Sequence, residues 1–177
     1  VANNIAIEYC VLCDPDPLIT QYLQESQIGI KYLIASQCHK DVFEHVRKHI
    51  TDNCYIWHAG GDKYNNTELF GEGVNVIGGG CTVGTRAVVL AMCLGYNNIS
   101  LFGFDSSLDK DFKHHSYDFQ TKEETIGNIT EIRLGGPTDP NVFYCAGYMV
   151  AQLFDFKKIL EIYGSRVKFD IRCDGAL

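Results

Sequence analysis

Residues Val74–Ser107 read VNVIGGGCTVGTRAVVLAMCLGYNNISLFGFDSS, and this stretch decides the fold. Its first four residues, Val74–Ile77, are mostly apolar and β-branched, which is typical of a short buried strand. Three glycines, Gly78 to Gly80, follow directly and interrupt the pattern. The sequence therefore predicts a strand that ends in a glycine turn.

The residues after this turn predict a helix and a second strand. Helical spacing begins at Thr82, and Gly95 stands where a left-handed C-terminal cap is expected. A second apolar run, Ile99–Phe104, ends at Asp105. The order strand, turn, helix, strand predicts a βαβ unit with its polar side chains gathered at the strand ends. The helix residues expected to face the core are Val83, Ala87, Leu90, Ala91 and Leu94.

The glycine turn is a candidate site for a phosphate. Free N–H groups at a helix start attract anions, and glycines let an anion approach the backbone. The sequence GGGCTVGTR matches neither the Walker pattern nor GxGxxG, so the alternative is a turn that only packs tightly. Arg86 favours the anion, because a cation near the first turn opposes the helix dipole, although an arginine that simply reaches water is the other interpretation. The candidate ligand-binding residues in this stretch are Gly78, Gly79, Gly80, Thr82, Arg86 and Ser106.

Three segments together resemble the MptE-like (DUF115) family: Gly78–Ser107, His114–Gln120 (HHSYDFQ) and Phe143–Phe156 (FYCAGYMVAQLFDF). The family includes archaeal 6-hydroxymethyl-dihydropterin diphosphokinases and the central domain of flagellar motility accessory proteins, which is similar to sialyltransferases. The resemblance extends from about Tyr9 to Phe156 and implies a Rossmann-like three-layer α/β fold with a mostly parallel sheet. It also implies a nucleotide-dependent transferase.

The polar stretch from Lys110 to Asn128 has little periodicity and predicts a flap or insertion outside the core. In the resembling family this stretch looks like the loop that faces the substrate. His115, Tyr117 and Gln120 are candidate substrate-binding residues on that basis. Family members usually carry, further upstream, a strand that ends in a turn like Asn-Gly-Pro-Ser, and no such segment is found here. The chain is therefore expected to be a fragment or to have lost that turn.

Length and charge set limits on the class of protein. With 177 residues and 46% hydrophobic composition, one domain spanning residues 1–177 is expected. A net charge of −7 without a basic run argues against a nucleic-acid partner or an anionic membrane. The longest apolar run is too short to cross a bilayer, and no signal-peptide pattern opens the chain, so we expect a cytoplasmic protein.

The eight cysteines lie mostly in apolar runs, and this placement predicts reduced core thiols rather than a disulfide scaffold. Cys10 and Cys13 form a CxxC pair. Because residues three apart on a strand point to opposite faces, the pair predicts neither a metal site nor a simple bridge.

Several predicted strands end in polar residues. Ile5–Cys13 ends at Asp14, Gly29–Ser36 runs into Gln37, and Cys54–Trp57 is followed by His58. In a parallel sheet such ends share one edge, where ligands bind. His58 is a candidate ligand-binding residue, although a histidine that only bonds its own loop is the alternative.

Two strand ends carry the candidate metal ligands, Asp14 and Asp105. We expect them to line one cleft and to share Mg²⁺ that bridges a nucleotide's phosphates. Asp16 is expected to cap the helix that begins at Pro17, whereas no capping role is expected for Asp14. The rival explanation is that both carboxylates only cap turns.

The remaining segments are interpreted as structural elements and not as parts of a site. Helices are expected over Asp41–His49 and Ala146–Tyr163, the second ending at Gly164, and strands over Thr130–Leu134 and Val167–Ile171. The remaining expectations are a mobile, polar loop over residues 60–73, a chain turn at Gly135-Gly136-Pro137, and core positions for Phe143, Tyr144 and Tyr148.

Three functions remain open on the sequence. The first is a diphosphokinase that uses ATP and Mg²⁺ and resembles the pterin enzyme, with Asp14 and Asp105 on the metal. The second is a sialyltransferase-like glycosyltransferase that uses a sugar nucleotide, with His58 or His115 as the base. The third is a non-catalytic module that binds a nucleotide or a glycan. The acceptor is not readable from the sequence.

Overall fold

The computed structural model describes residues 6–23, 29–50, 53–60, 66–109, 111, 128–136 and 139–177. The chain divides into two compact units, Val1–Gly78 and Gly79–Leu177. Helices and strands alternate along the described residues, and two of the three sheets are built from parallel strands, so the protein is of the α/β class. None of the helices in these ranges is long and apolar enough to cross a membrane.

The first unit is organised on a three-stranded parallel sheet in the order β1-β2-β3. Its central strand β2 is nearly continuous in apolar residues, as a strand covered on both faces is expected to be. Ile34 and Ala35 of β2 are fully buried. The strands are β1 (Tyr9–Leu12), β2 (Lys31–Ala35) and β3 (Cys54–Trp57), and the helices are a 3-10 helix (Pro17–Leu23), α1 (Lys40–His49) and α2 (Asn66–Phe70).

Helix α1 packs within this unit through one apolar face. Val42, Val46 and Ile50 are buried, one helical turn apart. His39 precedes the helix, and its Nδ1 accepts a hydrogen bond from Asp41 N at 3.3 Å, which satisfies a backbone donor of the first turn.

The second unit contains a parallel pair, an antiparallel hairpin and two long helices. Strand β4 pairs with β7 in parallel, with Ile99 beside Phe169 and Leu101 beside Ile171. The apolar face of this pair meets Val88 of α3 and Phe156 of α4 in one core cluster. The elements are α3 (Val83–Cys93), β4 (Asn98–Phe102), β5 (Thr130–Gly136), β6 (Asp139–Cys145), α4 (Gly147–Tyr163) and β7 (Lys168–Arg172).

Helix α3 begins and ends where the sequence predicts. Thr82 is its N-cap, with the side-chain oxygen accepting from Thr85 N at 3.3 Å. At the other end Gly95 has φ +95°, and hydrogen bonds run from Gly95 N to Met92 O and from Tyr96 N to Ala91 O. This is the Schellman arrangement, which satisfies the last helical carbonyls.

The predicted inner face of α3 is only partly correct: Leu90 is buried, as predicted. Val83 and Leu94 are 46% and 47% exposed, whereas Thr85 and Val88 are buried. The helix is apolar nearly all round, so its sequence alone does not select the face that its neighbours cover.

The strand predicted over Val74–Ile77 is also wrong. Only Ile77 pairs, in a single parallel bridge with Ala59, and Val74 is 39% exposed. Residues 66–70, predicted as loop, form α2, and the hairpin strand β6 was not predicted as a strand. Tyr144 and Tyr148, predicted in the core, are 39% and 44% exposed.

Candidate functional site

The glycine turn lies directly before α3, as predicted. Gly79 and Gly80 have φ +108° and +97°, a backbone conformation that side chains with a Cβ rarely adopt. A Cβ at Gly79 would lie 2.8 Å from a methyl of Val89 and 3.1 Å from Thr85 O. Gly78 has no such neighbour, since nothing lies within 4 Å of a Cβ built there. Glycine is therefore required at the second and third positions of the turn and not at the first.

A carboxylate from α4 occupies the space in front of the turn. Asp155 Oδ2 accepts a hydrogen bond from Cys81 N at 2.8 Å, and a Cβ at Gly80 would collide with the Asp155 side chain. The space where a phosphate is expected is thus filled at Gly80 by the Asp155 side chain. The backbone here binds an anionic oxygen, but the oxygen belongs to the protein.

This arrangement changes the pKa of the Cys81 thiol. Desolvation of the thiol, its hydrogen bond to Asp155 and the Asp155 charge raise the pKa of Cys81 to about 11, against a smaller lowering by Arg86. Arg86 therefore lies close enough to the turn to act on a charge there, as predicted from its place in the first helical turn. The thiol itself stays protonated at neutral pH.

The end of β4 forms a second candidate loop in the same unit. Among the described residues, Ser106 is the non-glycine with positive φ, at +52°, and its side chain is buried. Asp105 O accepts from Ala176 N at 2.7 Å, and Asp105 Oδ1 accepts from Asp174 N at 3.3 Å. Gly175 packs directly on the Asp105 backbone, where a Cβ would collide. The C-terminal segment therefore fixes the loop that carries both predicted residues.

Helix α4 contacts both candidate loops. Gln152 Nε2 donates to Ser106 Oγ at 2.8 Å, and Asp155, three residues later on the same helix face, accepts from Cys81 N. The sequence interpretation treated α4 as structural and missed both residues. The available signal was a pair of polar residues at i and i+3 inside the otherwise apolar residues 149–156 of the helix.

In the first unit, the residues that follow β2 and β3 come together at one edge, as predicted. His58 Nδ1 lies 2.9 Å from Ser36 Oγ, and the His58 ring packs on Phe70 with centroids 4.8 Å apart. Gln37 Nε2 donates to Cys13 Sγ at 3.3 Å. His58 thus has a partner within the protein at one ring nitrogen.

Asp14 has a capping role, contrary to the prediction. Its Oδ1 accepts from Asp16 N at 2.9 Å, and Asp16 Oδ1 in turn accepts from Leu18 N at 2.8 Å at the start of the 3-10 helix. Asp14 is exposed, and nearby Cys38 has its pKa raised to about 11, chiefly by burial and then by the Cys13 and Asp14 charges. The carboxylate stabilises the turn that leads from β1 into the helix.

Asp14 lies in the first unit and Asp105 in the second, so a cation shared between them stays a prediction. The described part of the chain contains no group of three or more His, Cys, Asp and Glu side chains that could hold a metal ion. All eight cysteines are free thiols, as predicted, but only Cys13, Cys38 and Cys145 are buried, and Cys81 and Cys93 are exposed rather than in the core.

The candidate substrate-binding residues His115, Tyr117 and Gln120 lie outside the described residues. Thr82, Arg86, Ser106 and the glycines of the turn lie within them. Comparison with protein-family models, with curated proteins and with solved structures gives no significant match to this chain.

Proposed function

We propose that the protein is a nucleotide-dependent transferase that binds the phosphates of its donor at the Gly78–Thr82 turn. The reaction most like its family resemblance is diphosphoryl transfer from ATP, as in 6-hydroxymethyl-dihydropterin diphosphokinase. The acceptor oxygen forms a bond to the β-phosphorus, and AMP leaves with the electrons of the broken bond. The proposal includes a Rossmann-like three-layer fold.

One observation carries this proposal. Two consecutive left-handed glycines precede a capped helix, and the Cys81 N–H that follows them donates to an anionic oxygen. A backbone that binds a carboxylate oxygen at 2.8 Å has the geometry and field that a phosphate oxygen needs. Arg86 adds a positive charge nearby.

In this proposal Mg²⁺ binds together with the nucleotide. Mg²⁺ keeps several waters and is usually bound through one or two carboxylates plus substrate phosphates, so a cluster of three protein ligands is not needed. Asp105 is the candidate carboxylate in the unit that carries the turn, and Asp14 is the candidate in the other. In each of these carboxylates, one oxygen accepts a hydrogen bond from a backbone N–H.

Thermal unfolding with ATP, GTP, CMP and UDP-sugars, each with and without Mg²⁺, tests the proposal. A ligand at about one hundred times its Kd stabilises the folded protein by about 2.7 kcal/mol, so true binding is visible as a raised Tm. We expect ATP with Mg²⁺ to give the largest shift. No shift with any nucleotide contradicts the proposal.

Two variants connect the shift to the turn. Arg86→Gln removes the positive charge and is expected to weaken nucleotide binding about tenfold. Arg166→Gln, which changes an arginine after α4, is the matched control and is expected to bind like the wild type. Equal losses in both variants point to a general charge effect instead.

A second candidate is a sialyltransferase-like glycosyltransferase, and the Ser36–His58 contact favours it. A histidine held at a strand end by a hydrogen bond is suited to remove a proton from an acceptor hydroxyl. In this reaction the nucleotide leaves the anomeric carbon of the donor sugar. CMP or UDP-sugar binding without a metal requirement supports this candidate over the first. Nucleotide binding without turnover on any acceptor supports a binding module.

A further inference from the structure

Ser36 and His58 are cross-strand neighbours at the carboxyl edge of the first unit's sheet. Ala35 is paired with Trp57 in the parallel register of β2 and β3, and Ser36 N donates to Trp57 O at 2.8 Å. The ladder therefore continues one step beyond β2. This step places the Ser36 hydroxyl beside the His58 ring, with Oγ 2.9 Å from Nδ1.

The position of His58 is fixed from other sides as well. Ile77 N donates to His58 O at 2.8 Å, and Gly60 N donates to Ile77 O at 3.0 Å, so its backbone is held by the Ile77 segment. The ring contacts Phe70 of α2, with an interplanar angle of 41°. A half-buried histidine that is held by the Ser36 and Ile77 segments and by α2 loses little freedom when a ligand binds.

The contact between Ser36 Oγ and His58 Nδ1 affects whether Nε2 of the same ring can accept a proton. An imidazole that removes a proton at Nε2 becomes an imidazolium with a hydrogen on both nitrogens. A partner at Nδ1 must then accept a hydrogen bond. A serine hydroxyl that accepts from Nδ1–H before the transfer keeps the same bond afterwards, whereas one that donates to Nδ1 must rotate away.

We propose that Ser36 is a positioning residue that holds His58 in the Nδ1–H tautomer and leaves Nε2 as the proton acceptor for the transfer reaction. This inference rests on the proposed function, because a base is needed to take the proton of an acceptor hydroxyl. When a substrate hydroxyl gives up its proton, the proton bonds to Nε2 and the electrons of the broken O–H bond stay on the oxygen. The imidazolium then donates to Ser36 Oγ.

Nitrogen-15 NMR of the full chain tests the tautomer directly and requires no ligand. The chain has six histidines, and the signal that disappears in His58→Gln identifies His58. Spectra are recorded near pH 8.5, about two units above the ordinary histidine pKa. We expect the wild type to show Nδ1–H as the main form, Ser36→Ala to show a mixture, and Ser36→Thr to restore the wild-type pattern.

AMP release from ATP and Mg²⁺, with water as the acceptor, tests the base. Loss of a general base costs on the order of a hundredfold in rate, so His58→Gln is expected to fall by about that factor at saturating ATP. Ser36→Ala should fall by less, and Ser36→Thr should recover. Circular dichroism and urea unfolding confirm that each variant is folded.

The possible results show separately whether the role of Ser36 or the proposed function fails. A main Nε2–H form in the wild type, or an unchanged ratio in Ser36→Ala, overturns the positioning role even if nucleotides bind. A wild-type rate of AMP release in folded His58→Gln overturns the role of His58 as the base. Absence of nucleotide binding contradicts the proposed function, and the base falls with it, while the tautomer result still decides the role of Ser36.

Discussion

Asp155 and Cys81, 74 positions apart in the chain, are joined by a hydrogen bond of 2.8 Å from the Cys81 N–H to the Asp155 carboxylate. The bond places a negative charge from α4 at the residue before Thr82, the N-cap of α3. A carboxylate is stabilising there, because it interacts with the positive end of the helix dipole and satisfies a backbone donor. The turn therefore contains its own anion.

Removal of this anion is expected to destabilise the protein. Asp155→Ala deletes a hydrogen bond to a charged group, and we expect the free energy of unfolding to fall by about 1–2 kcal/mol in urea titrations. Glu161→Ala is the matched control on the same helix. Its side chain lies 3.9 Å from Lys157 in an exposed pair, so its loss should cost less than about 0.5 kcal/mol. Equal costs contradict a special role for Asp155.

The same carboxylate is expected to compete with a bound phosphate. Asp155→Asn keeps the size of the side chain and an oxygen for the Cys81 N–H, but it removes one negative charge. At about 4 Å that charge is worth on the order of 1 kcal/mol in water, so phosphate and ATP should bind about fivefold more tightly. Isothermal titration calorimetry measures this change. Glu161→Gln carries the same charge change away from the turn, and an equal gain in both variants argues against binding at the turn.

The three glycines of the turn are expected to differ in their tolerance of alanine. At Gly80 a Cβ collides with Asp155 and the residue has φ +97°, so Gly80→Ala should lose about 2 kcal/mol or more of stability. Gly78→Ala meets nothing within 4 Å and should unfold within about 1 kcal/mol of the wild type. Urea titration of the two variants measures the difference, and equal losses of stability in Gly78→Ala and Gly80→Ala contradict a specific need for glycine at position 80.

Local sequence signals predicted the parts of the fold that depend on neighbouring residues. Cys54–Trp57 is a strand over the predicted bounds, and the predicted helix start at Thr82 and left-handed cap at Gly95 are correct. Each rests on turn chemistry or spacing within a few residues. Val74–Ile77 was predicted as a strand on the same kind of signal. It fails because a strand needs a partner, and only Ile77 has one.

The candidate site was predictable only where it follows the strand ends. Ser36 and His58 meet because parallel strands end at one edge, a rule that sequence order supplies. The contacts of Gln152 and Asp155 depend on how α4 packs within its unit, and no local pattern specifies their partners. Asp14 was misjudged for a smaller reason, since its bond to Asp16 N spans only two residues and belongs to an Asx turn.

Stability is expected to fall at alkaline pH through Cys38. Burial first, then the charges of Cys13 and Asp14, raise the pKa of Cys38 to about 11 from an unfolded value near 9. The folded state therefore holds this proton more tightly, and the contribution is complete below pH 9 and is lost as the pH rises from 9 to 11. Unfolding at pH 8 and 10 measures the loss. Serine does not titrate between pH 8 and pH 10, so Cys38→Ser should lose less unfolding free energy over this range than the wild type, by on the order of 1 kcal/mol. Equal losses in the two proteins contradict the assignment of this pH dependence to Cys38.

The last prediction concerns the strain at Ser106. Its φ of +52° disfavours every side chain with a Cβ, while its buried hydroxyl accepts from Gln152 and its carbonyl accepts from the thiol of Cys145 at 3.1 Å. Ser106→Ala loses the hydroxyl and keeps the strained backbone. Ser106→Gly loses the same hydroxyl but removes the strain, which is worth about 1–2 kcal/mol, against an entropy cost of about 0.4–1 kcal/mol in the unfolded chain.

We therefore expect Ser106→Gly to be more stable than Ser106→Ala by roughly 0.5–1 kcal/mol in urea titrations, although neither reaches the wild type. Gln152→Ala serves as the reference, because it removes the same hydrogen bond from the other side without changing the residue at φ +52°. If the glycine variant is the less stable of the pair, the positive φ is not strained. The hydrogen bonds of Ser106 then hold the β4 loop without storing energy in it, and the loop is a relaxed structural turn rather than a preorganised part of a site.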